Sequence, residues 1–161
     1  MNHGITPMRS ENNRKELRKF AETLANVQQM VVVGSHIGES AEIFAEYVEF
    51  FTCVDVWFEN EPGYRKFWNG AYTWANVKHL RLPSVAAADF FQDGELDAVY
   101  IDVSHDYESV KADILAWGPK LRPGGILSGH DYGPHAPGVV RAVNELIGKP
   151  SMVYGETSWV A

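Results

Sequence analysis

Five strand-like runs alternate with segments of helical periodicity, and this alternation limits the folds open to the chain more than any other feature. The runs are Met30–Val33, Phe51–Val56, Val77–Leu82, Leu96–Val103 and Ile126–Gly129. Helical spacing fills the intervals. It covers 11–28 through Leu17, Phe20, Ala21 and Leu24, then Glu39–Phe50, Val85–Phe91, Tyr107–Trp117 and Pro137–Ile147. Such alternation predicts a mostly parallel sheet with right-handed crossovers and helices on both faces. Leu96–Val103 fits a strand covered on both sides, since only Asp97, Asp102 and its end break the apolar run. The final SMVYGETSWVA reads as a hairpin turning at Gly155–Glu156. The expected fold is therefore a three-layer, doubly wound α/β sheet of seven strands, closed by a C-terminal antiparallel hairpin.

The 161 residues suit one domain, expected to span 1–161 with a loose tail over 1–10. An aromatic segment over 59–75 places Tyr64, Phe67, Trp68, Ala71 and Tyr72 on one helical face. That face reads as packing on the sheet, as a substrate lid, or as a contact in a homo-oligomer. A net charge of −7 with no basic cluster beyond Arg14–Lys19 argues against a nucleic-acid partner. No apolar run approaches the roughly 20 residues of a membrane span, and the polar N-terminus lacks a signal-peptide core. The expectation is a cytoplasmic protein with a small-molecule substrate and no membrane partner. Cys53 is the only cysteine, which removes a disulfide framework and a thiolate zinc site within one chain.

Open sheets of this kind bind ligands beyond the carboxyl ends of their strands. The first strand runs into V-V-G-S-H-I-G-E-S, residues 32–40, where Gly34 and Gly38 allow backbone to approach a ligand and the following amides can meet a carboxylate. Its G-x-x-x-G spacing differs from the dinucleotide fingerprint G-x-G-x-x-G. Asp55 ends the second strand, where a carboxylate can accept both hydroxyls of a ribose. Trp57 is placed either to stack on an adenine or to pack in the core. The ends of the fourth and fifth strands bring Asp102, His105, His130 and Asp131 towards one crevice. Two carboxylates with nearby imidazoles can hold a divalent metal or deprotonate a hydroxyl. They can equally cap turns.

Two segments make the reading specific. I-D-V-S-H-D-Y-E, residues 101–108, and L-R-P-G-G-I-L-S-G-H-D-Y, residues 121–132, resemble the core of a branch of class I S-adenosylmethionine-dependent methyltransferases. That branch reads I-D-G-D-H-x-Y-E, a helix, then L-x-P-G-G-x-x-x-x-H-D-Y, and PGVVRAVNEL, residues 137–146, is similar to its next helix. It includes small-molecule and sugar O-methyltransferases, some requiring magnesium, and cephalosporin hydroxylase-like relatives. The resemblance implies a Rossmann-like methyltransferase fold over roughly residues 30–161. It implies that Gly34, Ser35, His36, Gly38 and Ser40 surround the methionine end of S-adenosyl-L-methionine. Asp55 and Trp57 would then meet its ribose and adenine, Ser84 would lie near the adenine, and Asp102 would border the cofactor. As catalytic residues it implies Asp102, His105, His130 and Asp131, with Asp102, His130 and Asp131 as ligands to Mg²⁺ or Mn²⁺ if a metal serves.

The chain departs from the branch at three positions. Val32 stands where an acidic residue usually precedes the first glycine by two, His36 stands for a mid-loop glycine, and Pro83 replaces an acid before Ser84. These departures keep a catalytically degenerate, cofactor-binding protein in view as an alternative. An NAD-type oxidoreductase on a similar sheet is the weaker rival, because the fingerprint spacing is missing.

Overall fold

The computed structural model describes residues 9–57, 65, 67 and 74–161. Of the tail expected over 1–10, residues 1–8 lie outside them, as does the aromatic lid or insertion over 59–75 apart from Arg65, Phe67, Trp74 and Ala75. The described elements run α1 (Glu11–Glu22), β1 (Gln29–Val33), α2 (Glu39–Phe44), β2 (Phe50–Asp55), β3 (Val77–Arg81), α3 (Ser84–Ala88), β4 (Leu96–Ile101), α4 (Tyr107–Trp117), β5 (Leu121–Gly129), α5 (Pro137–Leu146), β6 (Met152–Val153) and β7 (Trp159–Val160). The strands form one seven-stranded sheet in the order β3-β2-β1-β4-β5-β7-β6. Pairing is parallel from β3 through β5, while β7 runs antiparallel to both β5 and β6. This is the expected doubly wound sheet with its closing hairpin.

Strand alternation sends β1 to both faces. Met30 and Val32 join a core with Leu17, Phe20, Phe44 and Tyr100 under α1 and α2. Val31 and Val33 join the opposite core with Val99, Ile114, Trp117 and Val143 under α3, α4 and α5. Cys53 is buried in the first core, and burial pushes its thiol up to about 12. Two helices begin where a side chain caps a free amide. Ser10 Oγ accepts from Asn13 N at 3.2 Å to start α1, and Asp106 Oδ1 accepts from Ser109 N at 3.0 Å to start α4. Arg14 and Arg18 on α1 then reach Glu42 and Glu46 at 2.7 and 2.8 Å, fastening α1 beside α2.

Two boundaries differ from the sequence reading. The helix expected over 11–28 stops at Glu22, because turns at Thr23, Leu24 and Val27 bond back three residues instead of four. The fifth strand, expected over Ile126–Gly129, begins at Leu121 and takes in Pro123, Gly124 and Gly125. The ladder steps from Leu96↔Leu121 to Ala98↔Ile126, so the extra residues form a bulge in β5 instead of preceding it. Among the described residues, no helix is long and apolar enough to cross a membrane.

Candidate functional site

The carboxyl ends of β1, β2, β4 and β5 meet at one side of the sheet, where the strand order reverses between β1 and β4. A cavity of about 300 Å³ opens there, lined by Arg9, Gly34, Ser40, Asp55, Asp102 and His105 among others. Gly34 has φ +87°, a backbone conformation that side chains rarely adopt. A Cβ on it would lie 2.1 Å from the Asp102 carbonyl oxygen, so only glycine lets the β1 turn pass the end of β4. Gly38 begins α2 at φ +88°, and there a Cβ would come within 3.0 Å of the Trp74 ring.

His36 and Trp57 also have positive φ, +40° and +33°, which costs energy for residues with side chains. One carboxylate holds both in place. Asp55 Oδ2 accepts from His36 N at 2.7 Å and Oδ1 accepts from Trp57 N at 3.1 Å. A carboxylate has about four acceptor positions, so each oxygen keeps one for a ligand. The Trp57 indole N–H donates to the His36 carbonyl at 2.8 Å, and its ring lies 4.4 Å from that of Phe67. Trp57 is thus buried in the wall that supports the turn. Ser35 donates to the Val32 carbonyl at 3.1 Å. Ser84 lies elsewhere: its hydroxyl donates to Asp113 and accepts from the Trp117 indole at 3.0 Å, between α3 and α4.

Charge is concentrated at the β4 and β5 ends. The register Ile101↔Gly129 puts Asp102 beside His130. Asp131, at φ +62°, faces three imidazoles: His105 Nε2 at 2.7 Å, His130 Nδ1 at 3.0 Å and His135 Nε2 at 2.9 Å. Burial alone would raise the Asp131 pKa, but hydrogen bonds from His130 and His135 outweigh it and hold the group well below the usual carboxylate range. His130 Nδ1 is also 3.6 Å from Asp102 Oδ1, and its Nε2 is 2.9 Å from Glu156 Oε2 without hydrogen-bond alignment. Burial opposes the imidazolium, yet Asp131, Glu156 and Asp102 prevail and push His130 up to about 10. His130 is therefore a cation near neutral pH. His105 is 61% exposed and faces solvent.

The structure brings together Gly34, Ser35, His36, Gly38, Ser40 and Asp55 on one side, and Asp102, His105, His130 and Asp131 on the other. Asp102 belongs to both sides. Arg9 bridges them: its guanidinium donates to Ser40 Oγ at 2.9 Å and to Asp102 Oδ2 at 2.7 Å. Arg9 falls in the stretch read as a loose tail, and nothing local in the sequence marks it. Glu156 was visible only as a hairpin turn. His135 follows Asp131 by four residues, a spacing that was open to notice.

Comparison with known proteins bears on the family and the fold. The model of a family described as "Methyltransferase domain" matches residues 31–132. An uncharacterized protein y4gI of Sinorhizobium fredii strain NGR234 is 29% identical over 119 residues, 65% of this chain. Those residues are 13% of that protein, so the chain spans a small part of its relative's length. The solved O-methyltransferase of Bacillus cereus, in complex with S-adenosylhomocysteine, is similar with a TM-score of 0.64 and 15% identity, over 99% of this chain and 82% of that one. The N-methyltransferase NodS of Bradyrhizobium japonicum, also solved with S-adenosylhomocysteine, is similar with a TM-score of 0.65 and 16% identity, over 89% and 80%.

Proposed function

Because the chain belongs to this methyltransferase-domain family, we propose that it moves a methyl group from S-adenosylmethionine to a hydroxyl of a small molecule or sugar. The observation that carries the reading is the shared position of Asp102. It lines the cavity beside the Gly34 turn and Asp55, and it also borders the acid–imidazole cluster. A cofactor whose ribose meets Asp55 and whose methionine end lies along Gly34–Ser40 would present its sulfonium towards that cluster. The acceptor oxygen attacks the methyl carbon in line, and the sulfur keeps the electron pair of the broken bond as S-adenosylhomocysteine leaves. Proximity supplies much of the acceleration.

A hydroxyl acceptor must also lose its proton. His105 is exposed and its Nε2 lies 2.7 Å from Asp131 Oδ2, so it is placed to take that proton. His130, held as an imidazolium, contributes positive charge beside the reacting oxygen instead. The same cluster fits a divalent cation: Asp102, His105 and Asp131 each offer a ligand atom, all within 4.8 Å of one another. Arg9 occupies only Oδ2 of Asp102, and carboxylates with a single imidazole suit Mg²⁺ or Mn²⁺. Such an ion, when bound, lowers the pKa of an acceptor hydroxyl.

Thermal shifts with S-adenosylmethionine, S-adenosylhomocysteine and NAD test the cofactor. At about 100 times its dissociation constant, a ligand that binds only the folded form adds roughly 2.7 kcal/mol. The first two should stabilise the protein and NAD should not. Transfer of labelled methyl to a panel of sugars and phenols then tests catalysis, and a chelator arm separates the two uses of His105. Binding without transfer to any acceptor would leave a cofactor-binding protein.

A further inference from the structure

We propose that Arg9 is a built-in competitor for the divalent-cation site, its guanidinium and the ion displacing each other at Asp102. The inference rests on the cation reading of the acid–imidazole cluster above, and it adds how the chain itself controls that site. Asp102, His105 and Asp131 converge there, each with one ligand atom to offer. Asp102 already faces a cation whose charge is permanent, because a guanidinium does not lose its proton in a protein. Arg9 Nη2 lies 2.7 Å from Asp102 Oδ2, with the two side chains 9% and 15% exposed. Its Nη1 donates to Ser40 Oγ on α2 at 2.9 Å, so the guanidinium is held at two points.

A carboxylate paired with a guanidinium is a weaker ligand, because part of the field that would attract the ion is already neutralised. A guanidinium on one oxygen and a divalent ion on the other also repel each other. Burial of Arg9 leaves little water to screen that repulsion. Of the two partners, Arg9 is the one that can leave. It stands just before Ser10, the N-cap of α1, outside any helix or strand. Asp102 is fixed at the end of β4, where its N–H donates to the Val33 carbonyl at 2.8 Å. Departure of the guanidinium gives up two side-chain hydrogen bonds and returns a cation to water. Movement of Asp102 would instead disturb the sheet. Arg9 also lines the cavity beside Gly34 and Asp55, so loading of the ion withdraws a side chain from the cofactor's space.

Two measurements without any acceptor test the competition. Titration with Mn²⁺, followed by the electron paramagnetic resonance of the free ion, compares the wild-type protein with Arg9→Gln. The variant should bind Mn²⁺ roughly 10- to 100-fold more tightly, as removal of a juxtaposed like charge requires. Asp102→Asn should lose the ion in either background. The second measurement needs no variant. Arg9 Nε is shut off from water, so the exchange of its N–H with solvent, read by NMR, reports docking of the guanidinium. Saturating Mg²⁺ should speed that exchange by about tenfold or more in the wild-type protein. Equal Mn²⁺ affinities for the wild type and Arg9→Gln would overturn the competition while the cation reading stands. So would an Arg9 N–H that stays as protected with bound Mg²⁺ as without it. Failure of both the wild type and Arg9→Gln to bind Mn²⁺ would overturn the cation reading, and the competition with it.

Discussion

The two halves of the site are built by different physics. At the β1 and β2 ends, geometry comes from backbone: Gly34 passes the end of β4, and Asp55 ties down two residues with positive φ. At the β4 and β5 ends, geometry comes from charge, with Asp131 among three imidazoles and His130 among three carboxylates. The first half is set by sterics and backbone hydrogen bonds, which have little tolerance for substitution. The second is set by ionisation, which tolerates substitution of shape but not of charge. Rigid cofactor placement beside an adjustable acid–base cluster is what a group-transfer site needs.

Gly34→Ala should produce the largest effect. Its Cβ would meet the Asp102 carbonyl at 2.1 Å from a left-handed backbone, so a loss of about 3 kcal/mol or more is expected in chemical denaturation. A loss under about 1 kcal/mol would mean the turn is less constrained than the steric account requires. Asp131→Asn keeps the shape and removes the charge. Methyl transfer should fall about 100-fold, within the range for a lost acid–base system, while S-adenosylhomocysteine affinity stays nearly unchanged. A matching loss of cofactor affinity would merge the two halves into one.

Asp55→Ala should act the opposite way. Cofactor binding should weaken by about 1–3 kcal/mol as charge-assisted hydrogen bonds disappear, with the acid–imidazole cluster intact. His130 supplies the effect that depends on pH. Its folded pKa is raised to about 10 from an ordinary 6.5. The stability it contributes is therefore fully present below about pH 6.5 and is lost as pH rises through 10. Urea melts across that window should show a decline that His130→Gln flattens.

The contrast also explains which parts were legible in the sequence. The alternation of strands and helices is local, so the sheet, its closing hairpin and the positions of Asp102, His130 and Asp131 after their strands could be read directly. The Gly34–Ser40 turn was visible for the same reason. Arg9 and Glu156 were not, because each acquires its place through contacts far away in sequence: Arg9 lies 93 residues from Asp102. Trp57 was ambiguous between stacking and packing, and only the position of Phe67 showed its ring in the wall. The bulge in β5 was hidden because Pro-Gly-Gly reads as a turn unless a neighbouring strand fixes the register.

The central claim is that the cofactor's reactive sulfur sits where the two halves meet. A crystal structure of the protein with S-adenosylhomocysteine tests this most directly. The account predicts ribose hydroxyls on Asp55, the amino-acid arm along Gly34–Ser40, and the sulfur facing Asp102 and His105. Density for the ligand outside this cavity, or a sulfur turned away from Asp102 and His105, would contradict it.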